Sequence, residues 1–244
     1  GIPHHLIDIV DIDQPYTAKR FANDAEQAIT KINRNNKLPI IAGGTFFYLD
    51  ILRGKISTAP VPPDDDFRVE AETRTTKELQ KELQDKAPDY YQTIDNQNRR
   101  RVIRALEIIN TLGYIPDNTE VTKANNTDYE WLIIGLQVDK KTLRQRYEAR
   151  AEEWLKAGLK EEVQDLLDKG ITRARLQEIG FEYTLTLSLL EQTIDEQQFI
   201  EKFVQKNWQY AKRQLTWLKK DEEIHWYTPE QIDDIEKDVR DFLA

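Results

Sequence analysis

Apolar residues recur with a helical period after Thr17. Phe21, Ala25, Ala28, Ile29 and Ile32 share one face, Thr17 stands where an N-cap is expected, and Asn35–Asn36 end the run. The flanking segments read differently. LIDIV (6–10) is a short strand candidate, and LPIIA (38–42) is a continuous apolar run bounded by turn residues, the pattern of a strand buried on both faces. Together they predict a β-α-β unit with a parallel strand pair. After the Gly43–Gly44–Thr45 turn, FFYLDILRG predicts a short helix stopped by Gly54.

Three prolines and three acids in TAPVPPDDD (58–66) predict a hinge rather than an element, and residues 67–112 return to a helical pattern. A polar stretch at 115–129 leads to WLIIGLQV, the clearest strand in the chain. Leu143, Tyr147, Trp154, Leu155, Leu159, Val163 and Leu166 then lie on one face of a single long predicted helix, with Gly170 past its end. Another helix is predicted from about Asp195 to Lys219, followed by the short apolar IHWY and a terminal acidic helix. The expected organisation is an α/β core over 1–60, a mainly helical part over 61–112 and a core strand region over 113–140. The long helix and a turn would fill 141–190, and core helices with a last strand 191–244.

Composition narrows the class. With 244 residues, 39% hydrophobic and 32% charged, and no apolar run near 18 residues, the chain is expected to be a soluble, cytoplasmic protein able to bury a core. It has no cysteine, which removes disulfides, thiol nucleophiles and thiolate metal sites. Three histidines, of which His4 and His5 are adjacent, leave little for a zinc site, and at least one of the pair is expected to make a structural hydrogen bond. A chain of this length that starts with Gly and contains no Met is expected to be a fragment, with methionines absent from the sequence as written.

Against a net charge of −9, Arg99, Arg100, Arg101 and Arg104 fall within six positions. If Asn98 caps their helix, three of them occupy its first turn, where the macrodipole disfavours cations by about 0.3–1 kcal/mol each. Val102, Leu106 and Ile109 form the apolar stripe, and a helical wheel puts Arg100, Arg104 and Glu107 on the opposite, outward side. Guanidinium forks beside free helix N–H groups suit a phosphate. The alternative is a set of surface ion pairs with Asp95, Glu107 and Asp64–Asp66.

Other constellations carry the same two readings. The Gly43–Gly44–Thr45 turn is either a ligand approach at a strand end or a tight turn with a capping Thr. Arg144, Arg146 and Arg150 fit i,i+4 pairs on a wet face. Lys202, Lys206, Gln209 and Arg213 form a basic stripe beside Trp208 and Tyr210, which suits single-stranded nucleic acid or a core face with solvated charges. Basic patches on an acidic protein point to a polyanion bound along a defined track, and RNA fits better than a small phosphate.

The motifs GIPHHLIDI, LPIIAGGT, NRRRVIRALEI, LKAGLKEEV, IGFEY and YAKRQLTW, in this order, resemble the tRNA dimethylallyltransferases, or tRNA isopentenyltransferases, over residues 1 to about 227. The resemblance implies an α/β fold with a P-loop-NTPase-like parallel sheet core and a helical insertion domain. It also implies magnesium as cofactor, and transfer of a dimethylallyl group from dimethylallyl diphosphate to N6 of the adenine 3′ of the anticodon. By position it implies tRNA contacts at Thr45, Arg68, Arg100, Arg101, Arg104, Gln177 and Gly180, and a substrate pocket at Gly43, Gly44 and Arg213. The partner would be the anticodon stem-loop of tRNA, bound by a monomer.

There are departures from the family. Many members carry a basic residue where this chain has Glu182, and the interval from the GGT turn to Gly54 is one residue short. The family's first strand, P-loop and general base are expected upstream of Gly1, so no catalytic residue is named within the chain and the sequence as written is expected to be inactive by itself. A P-loop nucleoside or nucleotide kinase and a non-catalytic RNA-binding protein are the competing classes.

Overall fold

A computed structural model describes residues 1–116 and 129–244; the polar stretch read at 115–129 lies almost wholly outside them. The chain forms two compact units. One comprises Gly1–Thr17, Ile32–Phe46 and Asp128–Ala244, the other Ala18–Lys31 and Phe47–Thr127.

The smaller unit is helical. α1 (Ala18–Arg34) starts directly after Thr17 and buries Ala18, Ala22, Ala25 and Ile29, while Phe21 packs on Tyr48 of α2 (Phe46–Leu52) with ring centroids 5.4 Å apart. Asp64 caps α3 (Asp65–Glu72) by accepting from the Phe67 N–H. Thr75 and Glu78 form a capping box on α4 (Thr76–Lys86), and Pro88 opens the short α5 (Pro88–Thr93). Asn98 caps α6 (Arg99–Leu112), which ends at Gly113. Phe67, Ala71, Leu79, Leu83, Val102, Leu106 and Ile109 make the core of α3, α4 and α6.

In the larger unit the predicted third strand is β1 (Ile133–Leu136), which pairs in parallel with β2 (Ile224–Tyr227), Ile133 opposite Ile224. The crossover between them holds α7 (Lys140–Lys156), α8 (Leu159–Asp168), α9 (Arg173–Ile179), α10 (Phe181–Leu190) and α11 (Glu196–Leu218). Phe199 and Phe203 of α11 stack at 5.9 Å in a core shared with Ala151, Val163, Leu176 and Leu185. The terminal α12 (Ile232–Leu243) is tied to β2 through Asp238, which lies 2.8 Å from His225 Nδ1 and accepts from the Tyr227 hydroxyl. The whole is an α/β protein with a helical part and a small parallel sheet.

Three expectations need correction. Residues 6–10 form no strand: Leu6 and Asp8 have positive φ, which breaks the extended run. Residues 38–42 form none either, and Ile40 is 77% exposed, because a doubly buried strand needs neighbours on both edges and the described residues supply none. The predicted β-α-β unit is therefore absent among the described residues. Finally, the long helix is two helices, broken at Gly158, whose φ of 99° an L side chain resists.

Gly158→Ala should lower unfolding stability by about 1–2 kcal/mol, the cost of a left-handed backbone for a residue with a Cβ. Chemical denaturation checks this, and an unchanged midpoint would mean that the break can relax.

Candidate nucleic-acid interface

The arginine cluster is not a uniform outward face. The 61–64 segment and α3 cover the side of α6 that a lone amphipathic helix would leave to water, and Glu107 there is 0% exposed. The helical-wheel reading of Glu107 as outward is thus corrected. Arg68 donates to its carboxylate through Nε at 2.6 Å and Nη2 at 3.2 Å, and Arg104 through Nη1 at 2.9 Å. The Asp64 N–H adds a fourth bond at 3.1 Å. Arg104 also donates to the Val61 and Pro62 carbonyls, so it staples the proline segment to α6.

The remaining arginines divide. Arg99 turns inward, to the Ala71 carbonyl and Thr76 Oγ1. Arg101 is exposed, 3.8 Å from Asp95. Arg100 is exposed and makes no ion pair among the described residues. Of the cluster, the ion-pair alternative accordingly describes Arg104 on Glu107 and Arg101 beside Asp95, Arg99 is bonded to a carbonyl and a hydroxyl, and Arg100 is the cation left to solvent. Asp64 serves mainly as a helix cap rather than as a neutralising partner.

Burial pushes the Glu107 carboxyl up, but hydrogen bonds from Arg104, Arg68 and the Asp64 N–H outweigh it and hold the group below the ordinary glutamate value. The carboxylate is ionised at neutral pH, so two guanidiniums and one carboxylate leave a net positive patch.

In the larger unit the Gly43–Gly44–Thr45 turn meets α11. Gln214 Nε2 donates to the Gly44 carbonyl at 2.7 Å, and the Tyr210 hydroxyl reaches it at 3.4 Å. A Cβ on Gly44 would sit 2.2 Å from Gln214 Nε2, so a side chain there would displace the glutamine amide from its present place. Arg213 lies over the Tyr210 ring at 5.8 Å and is exposed, as is Thr45. Gly44 and Arg213, read from sequence as pocket residues, are thus brought to one place through Tyr210. Gln214 was missed because its link to Gly44 spans 170 positions. Lys140, at the start of α7, stands 5.2 Å over the Trp208 ring of α11.

Gln177 is exposed on α9, and Gly180 separates α9 from α10 with an extended backbone. Arg175, which no local pattern singles out, donates to the Ile12 and Gln14 carbonyls at 2.8 Å and fixes the N-terminal segment against α9. His4 and His5 are exposed and make no hydrogen bond among the described residues, contrary to the expectation for one of them. On α7 Arg144 pairs with Glu148 at 2.9 Å as read, whereas Arg146 and Arg150 are exposed and make no ion pair among the described residues.

A family model described as IPP transferase matches residues 1–221. The chain is 36% identical over 230 residues to tRNA dimethylallyltransferase 2 of Treponema denticola, covering 92% of this chain and 77% of that one. It is 35% identical over 231 residues to the tRNA dimethylallyltransferase of Thermomicrobium roseum, covering 93% and 70%. Among solved structures, the full-length tRNA isopentenylpyrophosphate transferase of Bacillus halodurans is similar with a TM-score of 0.66 and 29% identity, covering 98% of this chain and 78% of that one. A eukaryotic dimethylallyltransferase captured acting on tRNA is similar with a TM-score of 0.73 and 27% identity, covering 95% and 61%.

The buried carboxylate gives a pH signature. Its folded value is depressed, so its stabilisation is present at neutral pH, and is lost as pH falls below the ordinary 4.5 and through the lower folded value. Glu107→Gln should cost about 3 kcal/mol at pH 7, as for a buried pair stripped of one partner. The difference from the unaltered chain should shrink in acid. Urea denaturation across pH 7 to 3 measures it, and a difference independent of pH would contradict the ionised assignment.

Proposed function

Because the chain belongs to the tRNA dimethylallyltransferase (IPP transferase) family, we propose that it transfers a dimethylallyl group from dimethylallyl diphosphate to N6 of the adenine 3′ of the anticodon. The family match over residues 1–221 carries this reading. It favours a tRNA prenyltransferase over the kinase and over the non-catalytic RNA-binding protein.

The chemistry sets the requirements. The allylic C–O bond breaks with its electron pair leaving on diphosphate, the N6–C bond forms, and the amine proton passes to a base. The target base must first be unstacked, at a cost of a few kcal/mol that backbone contacts offset. The exposed guanidinium of Arg213, over the Tyr210 ring whose hydroxyl reaches Gly44, suits the diphosphate together with Gly43 and Gly44, and Thr45 suits the substrate nucleotide. Arg68, Arg100 and Arg101 suit phosphates of the anticodon stem-loop, with Gln177 and Gly180 as a further RNA-facing turn. Arg104 belongs to the same surface through the segment that it holds.

Among the described residues no group of three or more His, Cys, Asp or Glu side chains converges to hold a metal ion. Among them, too, no helix is long and apolar enough to cross a membrane. A monomer acting on tRNA in the cytoplasm is the corresponding proposal.

Prenyl transfer should be tested on the full-length protein with dimethylallyl diphosphate, tRNA and magnesium in the absence of ATP, reading dimethylallyladenosine by mass after digestion. Phosphorylation of a nucleoside by ATP, with no prenylated product, would reverse the proposal. Arg100→Ala should weaken tRNA binding and flatten the log–log salt slope by about 0.7–0.9, the loss of one phosphate contact. Unchanged affinity and slope would remove Arg100 from the interface.

A further inference from the structure

Three parts of the helical unit end on one carboxylate. Arg68 comes from α3, Arg104 from α6 and the Asp64 N–H from the proline segment, and Glu107 itself is fully buried. We propose that Glu107 is a positioning residue for RNA binding that acts through Arg68, fixing its guanidinium in the one orientation that presents its free edge to a phosphate. This rests on the reading that Arg68 contacts tRNA.

The donor inventory separates the two arginines. Arg104 directs both Nη groups inward, to Glu107, Val61 and Pro62, and is 34% exposed. Arg68 gives Nε and Nη2 to Glu107, leaves Nη1 without a hydrogen bond among the described residues, and is 44% exposed. A guanidinium is a planar fork, so two fixed donors on one side also fix the direction of the third nitrogen. The rotamer freedom of Arg68 is then lost on folding rather than on binding, which favours association.

Stability alone does not explain the arrangement, since an apolar side chain of similar size often packs as well as a buried ion pair. Net attraction does not explain it either. A carboxylate beneath an RNA-facing surface reduces the positive field, so on charge alone Glu107→Gln would bind RNA more tightly. Positioning requires the opposite sign.

The test is fluorescence anisotropy with a labelled anticodon stem-loop RNA at fixed salt, on the chain and on Arg68→Ala, Glu107→Gln, their double variant and Arg68→Lys. Arg68→Ala should weaken binding roughly ten-fold, the loss of a charge-assisted contact. Glu107→Gln should lose about as much, and the double variant no more than Arg68→Ala alone, because the two act as one unit. Arg68→Lys should not restore affinity, since lysine keeps the charge without the two-point grip. Tighter or unchanged binding by Glu107→Gln, full additivity in the double variant, or rescue by lysine would each overturn the positioning role. If thermal unfolding shows Glu107→Gln to be unfolded, Arg68→Lys decides the matter by itself, at a side chain on the surface. Loss of effect in both Arg68→Ala and Arg100→Ala would instead overturn the RNA reading of the whole cluster, and the positioning role with it.

Discussion

An ionised carboxylate with no contact with water has to be paired and hydrogen-bonded, and the helical unit is arranged around meeting that need at Glu107. Four donors from three chain segments converge on it. The consequence is structural as much as electrostatic. A segment with three prolines has few backbone donors with which to form regular structure, and its carbonyls at Val61 and Pro62 are instead taken up by Arg104. What composition marks as a hinge is held in place by α6.

The same economy of charge appears in the larger unit. An acidic protein cannot attract RNA by net charge, so its cations must be displayed locally. Arg213 rests on the Tyr210 ring and Lys140 on that of Trp208, as Arg100 in the helical unit is left to solvent. An aromatic support holds a cation without neutralising it, whereas a carboxylate would cancel the charge that an anion is to read. The Gly44 carbonyl is satisfied by the Gln214 amide, a neutral donor that adds no charge of its own to the turn.

Much of this was legible in local pattern. The period of α1, the Asn98 cap of α6, the span of α11 and the location of β1 all follow from residue type and spacing. The misreadings share a physical cause. An apolar run such as LPIIA reports that a segment could be buried between neighbours, but carries no information on whether neighbours are present. A helical wheel places Glu107 opposite the apolar stripe correctly, but does not know that a second layer covers that side. Gln214 on Gly44 and Arg175 on Ile12 join positions more than 160 apart, beyond the reach of any local pattern. Resemblance to a family supplied candidate contacts such as Arg68 and Gln177, but not the distinction between a guanidinium that faces solvent and one that staples the fold.

That distinction is most directly observed in a crystal structure of the chain bound to an anticodon stem-loop RNA. The account predicts a phosphate oxygen within hydrogen-bond distance of Arg68 Nη1, while Nε and Nη2 stay on Glu107 and Arg104 stays on the Val61 carbonyl. An Arg68 side chain swung away from Glu107 to reach the RNA, or RNA bound with no phosphate near it, would contradict the claim that the buried carboxylate sets the binding surface.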